Sequence, residues 1–317
     1  MDSAPLTFRP DRTPLVPPGG VELHARDMTA TFSADVTFAD AQRKLAEIGQ
    51  WLPVDGDVTW TLGRLVETNS SGPLRLGYGA WRDLLLGCQF KSGRDELITA
   101  GGRTVKNVAG YDLTKFMVGQ RGAFGRLVTM TSRTYLRPTG AIVARFAADP
   151  WMVNRLLPTP CRPQWATMTA EALWCGYLGD ERTLAYYRKA MPERAPAEII
   201  ERTLDDDISH RGRLWQAAGV ERSFRASVPP VKILEFAKAA ALTDWSADAA
   251  FGIVIGIAEP QRHGEIESAA RSLGGSVYFF GQGGRVHVAM DPARRALLER
   301  LKHAFDPDGK LAALPME

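Results

Sequence analysis

Six glycines lie within one stretch of 25 residues near the middle of the sequence: Gly101, Gly102, Gly110, Gly119, Gly122 and Gly125. Glycine costs backbone entropy, so this density indicates positive φ angles or close approach of another group to the main chain. Between these glycines the sequence predicts a short helix over 113–118, with Asp112 as its N-cap and Gly119 ending it. Uncovered main-chain N–H groups in such loops bind anions, which suits phosphates or the polar edge of a flavin ring. The alternative is that the glycines only turn the chain between strands.

The composition is that of a folded protein with a sizeable core. The chain has 317 residues, of which 45% are hydrophobic, and its net charge is +3, from 39 Lys and Arg against 36 Asp and Glu. This length predicts about two domains. The near balance of charge, without a long basic run, argues against nucleic acid as the main partner. Three cysteines without C-x-x-C spacing predict no metal or iron–sulfur site.

The ends and the apolar runs of the sequence bear on localisation. The N-terminus shows no apolar segment of the kind found in signal peptides. The longest apolar run, 249–258, is about half of a membrane span. We therefore expect no transmembrane segment and a cytoplasmic location, with any membrane association made through partners.

The elements that would position the glycine-rich stretch form a mixed α and β pattern. Residues 1–20 contain five prolines and predict an extended arm. A helix is predicted over 38–48, started by Thr37 and Asp40 in an arrangement like a capping box. Short strands with glycine-rich connections are predicted over 28–33, 51–54, 84–90, 96–100 and 126–136.

The second half of the sequence predicts strand–helix–strand twice over, which favours helices on one face of an antiparallel sheet, as in a ferredoxin-like layer. The strands are predicted over 170–177, 222–229, 251–258 and 278–280, and the helices over 180–191, 231–242 and 263–273. A last helix over 292–305 meets a stop signal at Asp306-Pro307-Asp308-Gly309.

Four segments together carry a family resemblance: LVETNSSGPLRLGYGAWRDLLLG from 65, GGRTVKNVAGYDLTKFMVGQRGAFGRLVTMTSRTYLRP from 101, SVPP at 227–230 and LKHAFDPDGKL at 301–311. They resemble the FAD-binding subunit of bacterial glycolate oxidase, in the vanillyl-alcohol-oxidase/PCMH flavoprotein superfamily. The resemblance implies an α+β fold with a proline-rich arm at 1–20 and a PCMH-type FAD-binding domain at 21–140. Its second subdomain would be largely complete and its first truncated. A ferredoxin-like cap domain would follow at 141–290, and a C-terminal helix and tail at 291–317 would return to the FAD-binding domain.

The resemblance also implies which residues bind non-covalent FAD. They are Thr61, Leu62, Gly63, Arg64, Ser71, Gly72, Tyr78, Gly79, Lys106, Gly119, Gly122, Gly125 and Leu127. The hydroxyls of Thr61 and Ser71 can donate hydrogen bonds to phosphate or ribityl oxygens. Leu127 would offer its own N–H and C=O to the N3–O4 edge of the flavin. Lys106 would place a cation near the ring or a phosphate, unless it is a solvated loop lysine.

Two departures from the family pattern concern the cofactor directly. The family's first glycine-rich loop, of the R-x-G-G-x-S kind, is represented only by Gly19-Gly20, so this loop is expected to be missing or supplied by another chain. The second glycine of the family's T-x-G-G turn is Arg64 here. Its side chain could be an anion ligand, a plug in the cofactor pocket or a surface residue.

The functional expectation is an FAD-dependent oxidoreductase subunit that relays electrons in a glycolate-oxidising or related 2-hydroxy-acid-oxidising complex. The resemblance implies two partners, a sister FAD-containing catalytic subunit and an iron–sulfur subunit. The five histidines are scattered, and no general base or other catalytic residue is nominated. The second hypothesis is a non-catalytic structural subunit, which kept the fold and does not bind FAD on its own.

Overall fold

The computed structural model describes residues 13–102, 112–215, 223–280 and 292–314. These residues form two compact units. Unit one contains 13–71, 79–102, 112–137 and 292–314, and unit two contains 72–78, 138–215 and 223–280. The first twelve residues of the proline-rich arm lie outside the described residues.

The secondary structure is mixed throughout. In chain order the helices are α1 (Phe38–Ala46), α2 (Leu62–Glu67), α3 (Arg75–Tyr78), α4 (Trp81–Leu84), α5 (Leu113–Phe116), α6 (Trp151–Leu156), α7 (Glu181–Ala190), α8 (Leu204–Trp215), α9 (Ile233–Ala239), α10 (His263–Ser272) and α11 (Pro292–Phe305). The strands are β1 (Val21–His24), β2 (Thr29–Ser33), β3 (Gln50–Trp51), β4 (Leu85–Lys91), β5 (Leu97–Gly101), β6 (Arg126–Arg133), β7 (Tyr135–Leu136), β8 (Gly140–Ala147), β9 (Trp165–Met168), β10 (Ala172–Gly179), β11 (Glu198–Thr203), β12 (Phe224–Ser227), β13 (Trp245–Asp248), β14 (Ile253–Gly256) and β15 (Ser276–Phe279).

Unit one is built on an antiparallel sheet in the order β1-β2-β6-β4-β5. Helix α1 begins where the sequence predicts, because the Thr37 hydroxyl accepts a hydrogen bond from the Asp40 N–H and caps the helix. Its apolar face is buried in a core that also holds Leu62 of α2 and Trp81 of α4. A second cluster joins the rings of Phe90 and Phe305. This unit holds most of the predicted cofactor residues.

Unit two consists of two β-α-β-β-α-β repeats. The first runs β8-α6-β9-β10-α7-β11 and the second β12-α9-β13-β14-α10-β15. The sheet order is β11-β8-β10-β9-β13-β14-β12-β15, so each repeat contributes four antiparallel strands in ferredoxin-like order. The repeats meet where β9 pairs with β13 through Ala247 with Met168 and Asp248 with Thr167. The predicted ferredoxin-like layer is confirmed, and it occurs twice in one sheet.

The structure corrects the sequence predictions at several elements. Thr61 to Gly63, interpreted as a turn, are the N-cap and first residues of helix α2. Strand β3 has two residues rather than four. Helix α8 was not predicted, although three acidic residues at its start favour a helix N-terminus. Within the part of the chain that the structure describes, no helix is both long enough and apolar enough to span a membrane.

Candidate cofactor site

The start of α2 is fastened to the turn after β2. The Thr61 hydroxyl accepts from the Arg64 N–H at 3.2 Å and caps the helix. The N–H of Leu62 donates to the carbonyl of Val36 at 2.9 Å, and the N–H of Gly63 to that of Ala34 at 2.8 Å. A Cβ on Gly63 would lie 2.9 Å from the Ala34 carbonyl oxygen, so this glycine permits a close approach within the protein itself. The amides of Leu62 and Gly63, predicted to contact the cofactor, are therefore already bonded.

The other end of α2 holds the glycine loop, which we define as residues 119–125. A helix leaves its last carbonyl groups without partners inside the helix. Here the carbonyl of Val66 accepts from the N–H of Gly119 at 2.9 Å, and the carbonyl of Glu67 accepts from the N–H of Arg121 at 2.9 Å. The C-terminal turn of α2 thus fixes the position of the loop.

Inside the glycine loop, one buried side chain bridges two main-chain groups. The amide oxygen of Gln120 accepts from the N–H of Phe124 at 2.9 Å, and its nitrogen donates to the carbonyl of Gly125 at 2.9 Å. Gly119 and Gly122 have φ angles of +83° and +78°, which favour glycine. Gly125 serves close packing instead, because a Cβ there would lie 2.5 Å from the ring of Phe90.

The C-terminal segment supports the glycine loop from another side. The ammonium group of Lys302 on α11 donates to the carbonyl of Ala123 at 2.9 Å and to the carbonyl of Ala312 at 2.8 Å. It also lies 2.6 Å from the carboxylate of Asp306, whose side chain is buried. One cation therefore holds the loop, the helix and the tail together.

A carboxylate accepts a hydrogen bond from the main-chain N–H that is predicted to face the flavin. The N–H of Leu127 donates to Oε1 of Glu67 at 3.1 Å. Glu67 is half-buried. Burial raises the pKa of its carboxyl, and the hydrogen bond from Leu127 opposes that shift. Leu127 follows the glycine loop by two residues, and its N–H already has a partner.

A buried acceptor without a partner lies beside the same loop. Asn69 follows the end of α2 with φ +49°, and its Oδ1 is buried with no hydrogen-bond partner among the described residues. The Asn69 Cβ would lie 3.3 Å from a Cβ added to Gly119. An orphaned acceptor at this point suits a ligand that carries a hydrogen-bond donor.

The polar groups beside the glycine loop can be compared with the hydrogen-bonding groups of FAD. A flavin edge carries an N–H donor and carbonyl acceptors, and the orphaned Asn69 oxygen and the main chain of Leu127 are complementary to it. Gly119 and Gly122 have positive φ angles, and the positions of their absent Cβ atoms lie 3.3 Å from the Asn69 Cβ and 3.5 Å from the Ala312 Cβ. These groups fit the polar edge of the cofactor, and among the described residues the carboxylate of Glu67 competes with it for the Leu127 N–H.

The remaining predicted residues are placed as follows. The guanidinium of Arg64 lies 3.6 Å from the ring centroid of Trp60, and its side chain is exposed. Ser71 and Gly79 belong to unit one, whereas Gly72 and Tyr78 belong to unit two. Gly79 has φ +86°, and the following turn is closed by the Ala80 N–H, which donates to Asp83 at 2.9 Å. Lys106 lies outside the described residues.

Four side chains of this arrangement are not among the predicted site residues: Glu67, Asn69, Gln120 and Lys302. Asn69 had a usable signal, because asparagine is one of the few residues that adopt left-handed φ angles readily. Glu67 and Leu127 are 60 positions apart, and Lys302 and Ala123 are 179 positions apart. Local sequence patterns do not predict contacts between residues so far apart in the chain.

Comparison with known proteins matches part of the chain to an FAD-binding domain. Residues 18–111 match the family model described as FAD binding domain. The chain is 24% identical to glycolate oxidase subunit GlcE of Escherichia coli over 306 residues, which cover 92% of this chain and 82% of that subunit. It is 34% identical to glycolate oxidase subunit GlcD of Bacillus subtilis over 107 residues, which cover 33% of this chain and 23% of that subunit.

A solved structure shows the same fold. Alkyldihydroxyacetonephosphate synthase superposes with a TM-score of 0.64 at 13% identity, covering 92% of this chain and 64% of that one. The match to the FAD binding domain supports FAD as the cofactor of this chain. The chain contains an FAD-binding domain of the PCMH type and is a relative of the glycolate oxidase subunits GlcE and GlcD.

Proposed function

We propose that this chain is the FAD-binding subunit of a complex that oxidises glycolate or a related 2-hydroxy acid, and that it relays electrons through non-covalent FAD. The observation that carries the proposal is the extent of the likeness to GlcE, which runs through both units rather than the FAD-binding segment alone. A shared FAD-binding domain by itself would support only cofactor binding.

The residues of unit one would hold the cofactor, and FAD would supply the redox chemistry. The glycine loop gives access to main-chain groups, Asn69 offers a buried acceptor, and Leu127 offers its main chain. Lys302 and the end of α2 keep the loop in place. These residues bind and orient the cofactor, and none of them is assigned a proton transfer.

Oxidation of the hydroxy acid is assigned to a partner, because the sequence nominates no general base and, among the described residues, His210 is unsuited to that role. His210, on α8 of unit two, is buried against Trp174, with ring centroids 5.0 Å apart. Burial, reinforced by nearby arginines including Arg202, lowers its pKa to about 4, which makes it a weak base. We propose that a sister FAD-containing subunit removes the electrons and that an iron–sulfur subunit accepts them.

A specific observation favours the second candidate, a structural subunit without FAD. The amides of Leu62, Gly63, Gly119 and Leu127 are all satisfied by the protein itself. A fold that needs no cofactor to satisfy these groups could survive the loss of the cofactor. The two candidates differ in the FAD content of the assembled complex.

The deciding experiment uses the complex purified through a tag on this chain. We expect glycolate-dependent reduction of a dye acceptor and one FAD per copy of this chain beyond the FAD of its partners. A Gly119→Val variant, which fills the space beside Asn69, is expected to remove that one FAD and lower activity. Gly102→Ala, where nothing lies within 4 Å of the added Cβ, is the matched control. Assembly of a Gly119→Val complex with unchanged FAD content and activity would favour the structural subunit.

A further inference from the structure

Glu67 has no structural advantage from its position at the end of α2. A negative charge at the C-terminus of a helix is opposed by the helix dipole. The carboxyl is also half-buried, and burial penalises its charged form. The hydrogen bond from the N–H of Leu127, at 3.1 Å, is the interaction that offsets these penalties.

The Leu127 N–H is available because, in the part of the chain that the structure describes, β6 has no paired strand on one side at this point. Leu127 lies opposite Phe90 in the β4–β6 ladder. On the other side of β6, the pairing with β2 ends at Thr129, so no residue of β2 pairs with Leu127. This N–H is therefore a donor that either a ligand or a side chain of the protein can use.

We propose that Glu67 is an internal competitor for the polar ring edge of the flavin, so that its carboxylate must leave the Leu127 amide before the ring can bind there. The inference rests on the proposed function, because it assumes that this chain binds FAD. Glu67 then stabilises the empty form and weakens cofactor binding. It acts on the ring and not on the adenine nucleotide half of FAD.

The test compares Glu67→Ala with the full-length wild-type chain in titrations with FAD, riboflavin and ADP. Flavin binding is followed by fluorescence and ADP binding by calorimetry. We expect Glu67→Ala to lower the Kd of FAD and of riboflavin about tenfold, or about 1.4 kcal/mol. The Kd of ADP is expected to stay the same, since ADP has no flavin ring.

A second variant and a structural measurement separate competition from other effects. Glu47→Ala removes an exposed carboxylate just after α1 and controls for the change in net charge toward the anionic FAD. We expect it to leave all three Kd values unchanged. Hydrogen exchange at the Leu127 amide is expected to be faster in Glu67→Ala than in the wild type, and the melting temperature reports whether the variant is folded.

The outcomes distinguish this inference from the proposed function. If the wild type binds FAD and folded Glu67→Ala binds FAD and riboflavin no more tightly, the inference is wrong and the proposed function stands. Equal tightening of ADP and riboflavin would also overturn it, because that result indicates charge and not competition. If neither protein binds FAD or riboflavin, the inference is wrong, and the FAD content of the assembled complex decides the proposed function.

Discussion

Single residues of the glycine loop serve two different physical purposes. Gly119 and Gly122 have positive φ angles, so the backbone conformation requires them. Gly125 and Gly63 instead let parts of unit one come close, against Phe90 and against the main chain of Ala34. The glycine density of the sequence is therefore only partly a sign of cofactor access, and the rest of it is packing.

Substitution of Gly125 measures the packing role. Its added Cβ would lie 2.5 Å from the fully buried ring of Phe90 and 3.0 Å from the Lys91 carbonyl oxygen. We expect Gly125→Ala to lower the free energy of unfolding by about 1–3 kcal/mol, as for other overpacked cores. Chemical denaturation gives this value.

The matched control is Gly102→Ala, where no atom lies within 4 Å of the added Cβ. Its stability is expected to change by no more than about 0.5 kcal/mol. If both variants lose the same stability, the contact with Phe90 is not the reason for glycine at 125.

At the residue scale, the sequence predicts those features, such as helix caps, that depend only on residues close by in the chain. The Asp112 cap is confirmed, because its carboxylate accepts from the Lys115 N–H at 3.1 Å. The Thr37 cap is confirmed in the same way. The contact of Glu67 with Leu127 depends on the tertiary fold, so the residue types alone do not predict it. The assignment of the predicted cofactor residues stays a prediction.

Among the elements, α11 and α2 both support the glycine loop. Lys302 is 17% exposed, and it holds two main-chain carbonyls and the buried carboxylate of Asp306 at once. Asp306 in turn accepts from the N–H groups of Lys310 and Leu311 at 2.8 and 2.9 Å. Removal of the cation would leave a buried carboxylate without its counter-charge.

We expect Lys302→Met to lower the free energy of unfolding by about 3 kcal/mol, because it breaks one side of a buried pair. Denaturant unfolding and limited proteolysis of the glycine loop measure the effect. Lys310→Met is the control, since Lys310 forms an exposed pair with Asp308 at 3.4 Å and should contribute less than about 1 kcal/mol. A loss below that limit in Lys302→Met would contradict the anchoring role.

Sequence patterns predict several of the longer helices, but not α8, which has 12 residues. The helices α1, α7, α10 and α11 were predicted within a few residues of their ends, because their apolar stripes and caps agree. Helix α2 was missed, since it spans six residues and Gly63 lowers helix propensity. Its stability comes from burial of Leu62, Leu65 and Val66, which is a tertiary effect.

At the scale of the molecule, one ion pair fastens the segment 72–78 within unit two. The Nε of Arg75 on α3 donates to Oδ2 of Asp248 on β13 at 2.7 Å, and its guanidinium lies 4.0 Å from the ring centroid of Phe251. The Asp248 side chain is 1% exposed. Burial raises its pKa to about 6 from the model-compound value of 3.8, and the charge of Arg75 opposes that shift.

This shift predicts a pH dependence with a definite sign. A carboxyl whose pKa is raised by folding contributes stability fully below 3.8, and this contribution is lost as the pH rises through about 6. The stability of the wild type relative to Asp248→Asn should therefore fall between these pH values, by up to about 1.4 kcal/mol per pH unit. It should be constant above about pH 7.

Thermal and denaturant unfolding at a series of pH values test this. The control is Glu171→Gln, which removes an exposed carboxylate of unit two. A wild-type advantage over Asp248→Asn that grows with pH would mean that Arg75, and not burial, decides the pKa of Asp248.

The duplicated strand order in unit two has a consequence for self-association. Two separate four-stranded layers would present four open edges, and each open edge is a template onto which a foreign strand can add. The pairing of β9 with β13 closes two of them. Of the terminal strands in the described sheet, β11 carries Glu198, Glu201 and Arg202, and such charged side chains discourage the addition of a strand. Fusion of the repeats thus halves the number of open edges and joins the two halves of the core.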